Sequence, residues 1–90
     1  MQTSAAETLA LKALAFLASD GQLLVRFMRL SGVNPEDLRE RADDPLLLAA
    51  VIDFVLGDDK LLFAFAQDAT LDPKLIREAR RALPGNAPEA

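Results

Sequence analysis

A near-repeat of the chain's own sequence constrains its fold more than any other feature. Residues 9–42 align without a gap on residues 47–80, at an offset of 38 positions, and nine of the 34 aligned pairs are identical. The identical pairs are Leu9/Leu47, Phe16/Phe54, Asp20/Asp58, Leu23/Leu61, Leu24/Leu62, Phe27/Phe65, Pro35/Pro73, Arg39/Arg77 and Glu40/Glu78. Leucine is abundant, but matched Phe, Asp and Pro at one offset indicate two copies of one structural unit.

Start and stop signals divide the chain into six predicted helices. Five of the six starts combine a capping side chain with a Glu or Gln three residues later or with a Pro, and the fifth helix starts at a pair of Asp residues alone. In chain order, the predicted N-caps are Ser4 (with Glu7), Ser19 (with Gln22), Asn34, Asp44, Asp58 or Asp59, and Asp72. Gly32, Gly57 and Pro84-Gly85 mark three of the predicted ends. No segment alternates apolar and polar residues, so we expect no strand.

These signals predict an all-α, single-domain six-helix bundle over residues 1–83. It is built from two pseudo-repeated three-helix units, about 4–42 and 45–83. Ninety residues provide one hydrophobic core and not two. The first and fourth helices are apolar around most of their circumference, so we expect them to pack together at the centre. Residues 84–90 are predicted to form a disordered tail.

Composition argues against several kinds of chemistry. The chain has no Cys, His, Trp or Tyr. It therefore lacks thiol chemistry, the commonest general base and the commonest metal ligand. Ser4, Ser19 and Ser31 lie at predicted helix ends with no His to activate them. We expect no enzymatic activity and no cofactor.

The N-terminal apolar stretch, residues 9–18, contains Lys12, and no Lys or Arg precedes it. A secretory signal has its positive charge first and an unbroken apolar stretch after it, so this stretch predicts a folded helix. The longest uncharged apolar run, residues 46–52, is far shorter than the roughly 20 residues that span a bilayer. No membrane association is expected, and the predicted location is the cytoplasm.

Among the 14 acidic residues, two pairs of adjacent Asp and one Asp in the fourth helix are candidate sites. Asp43-Asp44 and Asp58-Asp59 lie in turns, where they either bind Mg²⁺ or Ca²⁺ or cap the following helices. Capping is favoured and no metal site is predicted, because the chain has no Asp-x-Asp-x-Asp-Gly loop. Asp53 is the only charge in the fourth helix. Either its stripe of small residues faces water, or it is a buried carboxylate suited to acid/base chemistry.

Apolar residues depart from the helix pattern at equivalent positions of the two copies. Val25 on the second helix and Phe63 on the fifth are aligned by the repeat, and each points away from its helix's apolar face. Phe63 is flanked by Lys60 and Gln67, which suits an aromatic interface anchor. The alternative is that Phe63 packs inside a wide core. This candidate interface predicts a protein partner or a homodimer.

The sixth predicted helix has an apolar face and a basic face. We expect Leu75, Ile76, Ala79, Ala82 and Leu83 to face the core. The candidate anion-binding or nucleic-acid face consists of Lys74, Arg77, Arg80 and Arg81. It is either a solvated surface near a helix C-terminus or the recognition face of a helix-turn-helix-like protein. Nucleic acid is the less favoured partner, because the net charge is −4 and the face has no Asn or Gln.

Several segments together form a distinctive pattern: FLASD at 16–20, LSGVNPEDLR at 30–39, Asp44-Pro45, and VIDFVL at 51–56 followed by Asp58. This pattern resembles a family of small bacterial proteins called domain of unknown function 3572. The resemblance covers roughly residues 7–83 and rests on caps and core positions. It implies a shared fold and supplies no catalytic or binding residue. We therefore expect a small cytoplasmic protein that acts as a protein-protein interaction or adaptor module.

Overall fold

The computed structural model describes residues 1–85, and these form six α-helices and no strand. The helices are α1 (Thr3–Ala18), α2 (Gly21–Ser31), α3 (Pro35–Glu40), α4 (Pro45–Leu56), α5 (Asp59–Ala69) and α6 (Pro73–Ala82). The predicted all-α class and the six helices are confirmed. Most of the predicted disordered tail, residues 86–90, lies outside the described residues.

The start of α2 lies one residue beyond the predicted cap. The Asp20 carboxylate accepts hydrogen bonds from the backbone N–H groups of Gln22 (3.0 Å) and Leu23 (3.4 Å). Ser19, the predicted cap, donates its hydroxyl to the Phe16 carbonyl at the end of α1. The Ser19 hydroxyl therefore donates to a free carbonyl at the end of α1, and the Asp20 carboxylate accepts from the first free N–H groups of α2.

The start of α1 also differs from the prediction. The helix begins at Thr3, and the preceding Gln2 makes no side-chain capping bond. Ser4 is already helical, and its carbonyl accepts a hydrogen bond from the Thr8 hydroxyl. The predicted Ser4–Glu7 capping box is wrong, because a residue inside the helix cannot cap it.

The remaining four helices begin where the sequence predicts. Their caps are Asn34, Asp44, Asp58 and Asp72, and each side chain accepts a hydrogen bond from a backbone N–H of the following turn. At α3, Asn34 and Asp37 cap each other's backbone reciprocally. Gly32 ends α2 with a left-handed φ of 77°, as a glycine C-cap does.

The centre of the core lies between α1 and α4. The buried residues of α4 are Leu47, Leu48, Ala49, Val51, Ile52 and Val55. Those of α1 are Ala6, Leu9, Ala10, Ala13 and Leu17. The three alanines leave room for a neighbouring backbone, and α1 packs along α4. The predicted core pair is confirmed.

The third helices of the two copies pack differently. α6 covers α1 and α4 and buries Ile76, Ala79 and Arg80. α3 is six residues long, and none of its own residues is buried. Arg41, which follows α3, pairs with Asp44 at 2.6 Å, whereas its aligned residue Ala79 lies in the core. The two three-helix units are therefore not confirmed as matching units.

Within residues 1–85, no single helix is long and apolar enough to cross a membrane. α1 and α2 meet the length and composition requirement only as a pair, and they are bent by 119° at the break between them.

Candidate functional site

A groove between α2 and α4, here called groove one, has a cavity volume of about 330 Å³. Its lining residues are Arg26, Phe27, Leu30, Ser31, Ala50, Asp53, Phe54, Gly57 and Asp58. Two of them, Ala50 and Gly57, belong to the stripe of small residues beside Asp53 that the sequence singled out. Because these residues carry little or no side chain, α4 leaves space there against α2.

The apolar lining of groove one is an aromatic pair that joins the two helices. The rings of Phe27 and Phe54 lie 5.6 Å apart in an edge-to-face arrangement. Phe27 is fully buried and Phe54 partly buried, so the pair extends from the core to the groove. Such pairs stabilise a contact beyond the area that they bury.

Exposed charges of both signs flank this aromatic pair. The Arg26 guanidinium lies 5.8 Å from the centroid of the Phe54 ring and 4.0 Å from the Asp58 carboxylate. Asp58 is also the cap of α5, so it is held in place by the backbone. The Arg26–Asp58 pair is exposed and long, and it contributes little to stability.

Asp53 connects groove one to α6. Arg80 Nε donates a hydrogen bond of 2.6 Å to Asp53 Oδ1, and the side chain of Asp53 is 30% exposed. Arg80 Nη1 also donates to the carbonyls of Pro84 and Gly85, at 3.2 and 3.5 Å. Asp53 is thus partly open to the groove and also paired, so neither of the two sequence interpretations describes it fully.

Arg80 does not belong to the exposed basic face that the sequence predicts. It is 3% exposed and lies in the buried stripe with Ile76, Ala79 and Leu83. Leu75, which was expected in that stripe, is exposed. The spacing of the buried positions is regular for a helix, and the ion pair with Asp53 makes a cation acceptable at one of them.

The other three cations of α6 do lie at the surface. Lys74, Arg77 and Arg81 are exposed, and their spacing places them on one side of the helix. Glu78 is exposed on the same helix and reduces the net positive charge there. The basic face therefore consists of three residues instead of the predicted four.

The most exposed large apolar side chains lie beside groove one. Leu30 is 75% exposed and lines the groove. Leu46 is 61% exposed and lines a smaller neighbouring cavity that shares Ser31 and Ala50 with groove one. α2 contributes to this surplus, because six of its eleven residues are large and apolar and only Phe27 is fully buried. We call Leu30, Leu46 and groove one together the leucine-rimmed face.

The candidate interface on α5 is also at the surface. Phe63 is 59% exposed and Val25 is 42% exposed, and Lys60 and Gln67 are exposed beside Phe63. The alternative that Phe63 packs in the core is wrong. Neither Phe63 nor Val25 lines groove one or its neighbouring cavity.

A second groove, groove two, lies between α1 and α5 and has a cavity volume of about 450 Å³. Its lining residues are Lys12, Ala15, Phe16, Ser19, Phe65, Asp68 and Ala69. The rings of Phe16 and Phe65 lie 5.5 Å apart and form its apolar lining. Lys12 and Asp68 are exposed at its edge.

The paired carboxylates act at helix starts. Asp44 and Asp58 cap α4 and α5, as the capping interpretation predicts. The Arg41 side chain donates a hydrogen bond to Asp44 and, with the Leu46 backbone N–H, lowers the pKa of that carboxyl. Among residues 1–85, no three carboxylates gather into a group that could hold a metal ion.

Sequence reasoning missed Leu30 and Arg26, which give groove one its apolar rim and its cation. The sequence signal that could have revealed Leu30 was the number of large apolar residues on α2, because one buried face of the helix could not hold them all. The groove itself depends on how far α2 stands from α4, and no residue pattern records that distance.

The fold and grooves define a small all-α protein with a buried helix pair and two surface grooves lined by aromatic pairs. The family model described as a protein of unknown function (DUF3572) matches residues 3–86, and the chain belongs to this family. Comparison with curated proteins and with solved structures finds no match.

Proposed function

We propose that the chain is an internally duplicated protein-protein interaction module that acts as a homodimer through its leucine-rimmed face. The single observation that carries the proposal is Leu30, a leucine that is 75% exposed at the edge of a groove lined by two phenyl rings.

Helix boundaries and caps support the duplication. α2 (Gly21–Ser31) and α5 (Asp59–Ala69) begin and end at residues exactly aligned by the 38-residue offset. Their caps, Asp20 and Asp58, make the same pair of hydrogen bonds to the second and third following N–H groups. Both helices end at a residue in the left-handed conformation, Gly32 for α2 and its aligned partner Thr70 for α5.

The aromatic contacts between the copies are reciprocal. Phe16 of the first copy contacts Phe65 of the second, and their aligned residues Phe54 and Phe27 contact each other as well. Reciprocal contact is what a two-fold axis produces between identical subunits. We infer that the two copies pack as such a pair within one chain, with α3 and α6 as later differences.

The two grooves are related by the same 38-residue alignment. All seven residues that line groove two align with residues that line groove one. The aligned pairs, groove two first, are Lys12/Ala50, Ala15/Asp53, Phe16/Phe54, Ser19/Gly57, Phe65/Phe27, Asp68/Leu30 and Ala69/Ser31. One groove has therefore been duplicated, and its polar residues have diverged.

A second copy of the chain is the occupant that groove one fits best. The groove carries its own projecting leucine, so two copies related by a two-fold axis can each insert Leu30 into the other's groove. Arg26 and Asp58 put both charge signs on this surface, so each cation can face the partner's carboxylate, which orients the two copies more than it strengthens the contact. A surface recognised by a strongly charged foreign partner would need one dominant sign instead.

Replacing Leu30 by Asp tests the dimer. The carboxylate cannot enter an aromatic groove without losing its hydration, and the buried leucine side chain contributes about 1.5 to 3 kcal/mol. We expect Leu30→Asp to weaken dimerisation about tenfold or more while helicity is kept. Sedimentation velocity with interference detection measures this, because the chain has no Trp or Tyr.

Two matched variants separate this face from the other exposed apolar residues. Leu11→Asp changes an exposed leucine of α1 that lines neither groove, and it should leave the dimer intact. Phe63→Asp tests the α5 interface with Val25, Lys60 and Gln67. If Phe63→Asp dissociates the dimer and Leu30→Asp does not, the interface is on α5 and the groove proposal is wrong.

Nucleic-acid binding through α6 is the second candidate function. It is favoured by the exposed cations Lys74, Arg77 and Arg81, none of which has an ion pair among the described residues. The loss of Arg80 from this face and the net charge of −4 oppose it. A micromolar duplex-binding signal that falls steeply with salt and is abolished by Arg77→Glu with Arg81→Glu would favour it. We expect no signal at physiological salt.

Catalysis and cofactors are not part of this proposal. A cytoplasmic location remains the expectation from the sequence.

A further inference from the structure

The two grooves differ most at the position that carries the projecting side chain. Groove one has Leu30 there, 75% exposed, and groove two has the aligned Asp68, also exposed. The aromatic linings are alike, with ring centroids 5.6 and 5.5 Å apart. At this position an exposed apolar side chain of groove one is replaced by an exposed carboxylate in groove two, and either one would face a second copy.

We propose that Asp68 excludes groove two from self-association and thereby limits the assembly to a dimer. This inference rests on the dimer proposed above. A two-fold contact through groove two would place each Asp68 carboxylate against the partner's Phe16 and Phe65 rings. The carboxylate would lose water there, and the face of an aromatic ring is itself negative.

Lys12, also at the edge of groove two, does not offset this loss. It is exposed, and an ion pair between exposed flexible side chains contributes little. If both grooves associated, each copy would bind two neighbours on different faces. Contacts at two separate faces of one chain join more than two copies, so the product would be larger than a dimer.

Exchanging the two residues tests the inference. Leu30→Asp, Asp68→Leu and the double exchange Leu30→Asp/Asp68→Leu are compared with the unmodified chain by sedimentation velocity at several concentrations. Leu30→Asp should be monomeric, and Asp68→Leu should form species larger than a dimer that grow with concentration. The double exchange should restore a dimer, now through groove two. Ala64→Leu is the matched control, since it adds a leucine at an exposed position of α5 outside groove two and should leave a dimer.

The outcomes distinguish this inference from the proposed dimer. If Asp68→Leu stays a dimer and the double exchange stays monomeric, Asp68 does not control groove two and the inference is overturned, while the dimer stands. If the unmodified chain is monomeric, the proposed dimer is wrong. In that case the Asp68→Leu variant decides the inference. Self-association of this variant supports the role of Asp68, and a monomeric variant overturns the inference. Growth of Ala64→Leu beyond a dimer would also overturn the inference, because any leucine added to α5 would then suffice. Circular dichroism confirms that each variant is folded.

Discussion

Arg80 is a buried cation of α6 that pairs with the one charge of α4. Ile76, Ala79, Arg80 and Leu83 lie at successive positions of one helical stripe, and all four are buried. A charged residue in such a stripe implies a buried partner, and Asp53 was the one charge of α4. The buried charge of Arg80 and the isolated charge of Asp53 are thus the two members of one ion pair, and the sequence of either helix alone does not reveal it.

Removing Asp53 takes one hydrogen-bonded carboxylate away from the buried Arg80 guanidinium. We expect Asp53→Ala to lower the free energy of unfolding by about 3 kcal/mol, the low end for buried pairs because Asp53 is 30% exposed. Arg80→Met combined with Asp53→Ala should recover part of this loss. Arg77→Met, at an exposed cation of the same helix, should change little. Urea denaturation followed by circular dichroism measures all three, and a loss below about 0.5 kcal/mol for Asp53→Ala would contradict the account.

Thr70 is a β-branched residue in a backbone conformation that favours glycine. Its φ is 55°, and the N–H groups of Thr70 and Leu71 close α5 on the carbonyls of Gln67 and Ala66. Its aligned residue in the first copy is Gly32, with a φ of 77°. Thr70→Gly should stabilise the protein by about 1 kcal/mol, and the reverse change Gly32→Thr should destabilise it by a similar amount. Chemical denaturation measures both, and a destabilising Thr70→Gly would contradict this.

At the scale of elements, the three caps followed by a Pro were predicted correctly, whereas the cap of α2 was not, although the repeat could have supplied it. Asp58 was a candidate cap from its own surroundings, and the repeat aligns it with Asp20, which caps α2. Ser19 was chosen instead because the Ser-x-x-Gln pattern is a common start signal. Pattern alone cannot tell whether a serine oxygen faces the following helix or the preceding one, since both hydrogen bonds are available to it.

The Arg41–Asp44 pair at the start of α4 makes stability depend on pH. The hydrogen bond from Arg41 lowers the pKa of Asp44, so its stabilisation is present above the unfolded value of about 3.9 and is lost as pH falls through the folded value. Asp44→Asn keeps the cap and removes the charge. The unmodified chain should melt higher than Asp44→Asn at pH 7, and the difference should shrink below about pH 4. A constant difference from pH 7 to pH 2 would contradict this.

At the scale of the whole molecule, the core was predictable and the surface was not. The apolar circumference of α1 and α4 predicted their contact, because a helix without a polar face has to be covered on all sides. The grooves depend on the spacing between helices, and the unequal packing of α3 and α6 depends on where Arg41 finds a partner. Those features arise from tertiary contacts that a repeat alignment does not contain.

Separating the copies tests how far they depend on each other. The aromatic pairs Phe16–Phe65 and Phe27–Phe54 both cross from one copy to the other. Chains of residues 1–42 and 43–90 should each be unfolded alone and should regain helicity by circular dichroism when mixed. A fragment that folds alone as a monomer would show that the copies are independent.

The mass of the unmodified chain in solution is the most direct test of the leucine-rimmed face as a dimer interface. Sedimentation equilibrium with interference detection gives this mass without aromatic absorbance. We expect a reversible transition, with rising concentration, from the 9.8 kDa monomer to a species of twice that mass, and no larger species. A mass that stays at 9.8 kDa up to the highest soluble concentration would contradict it.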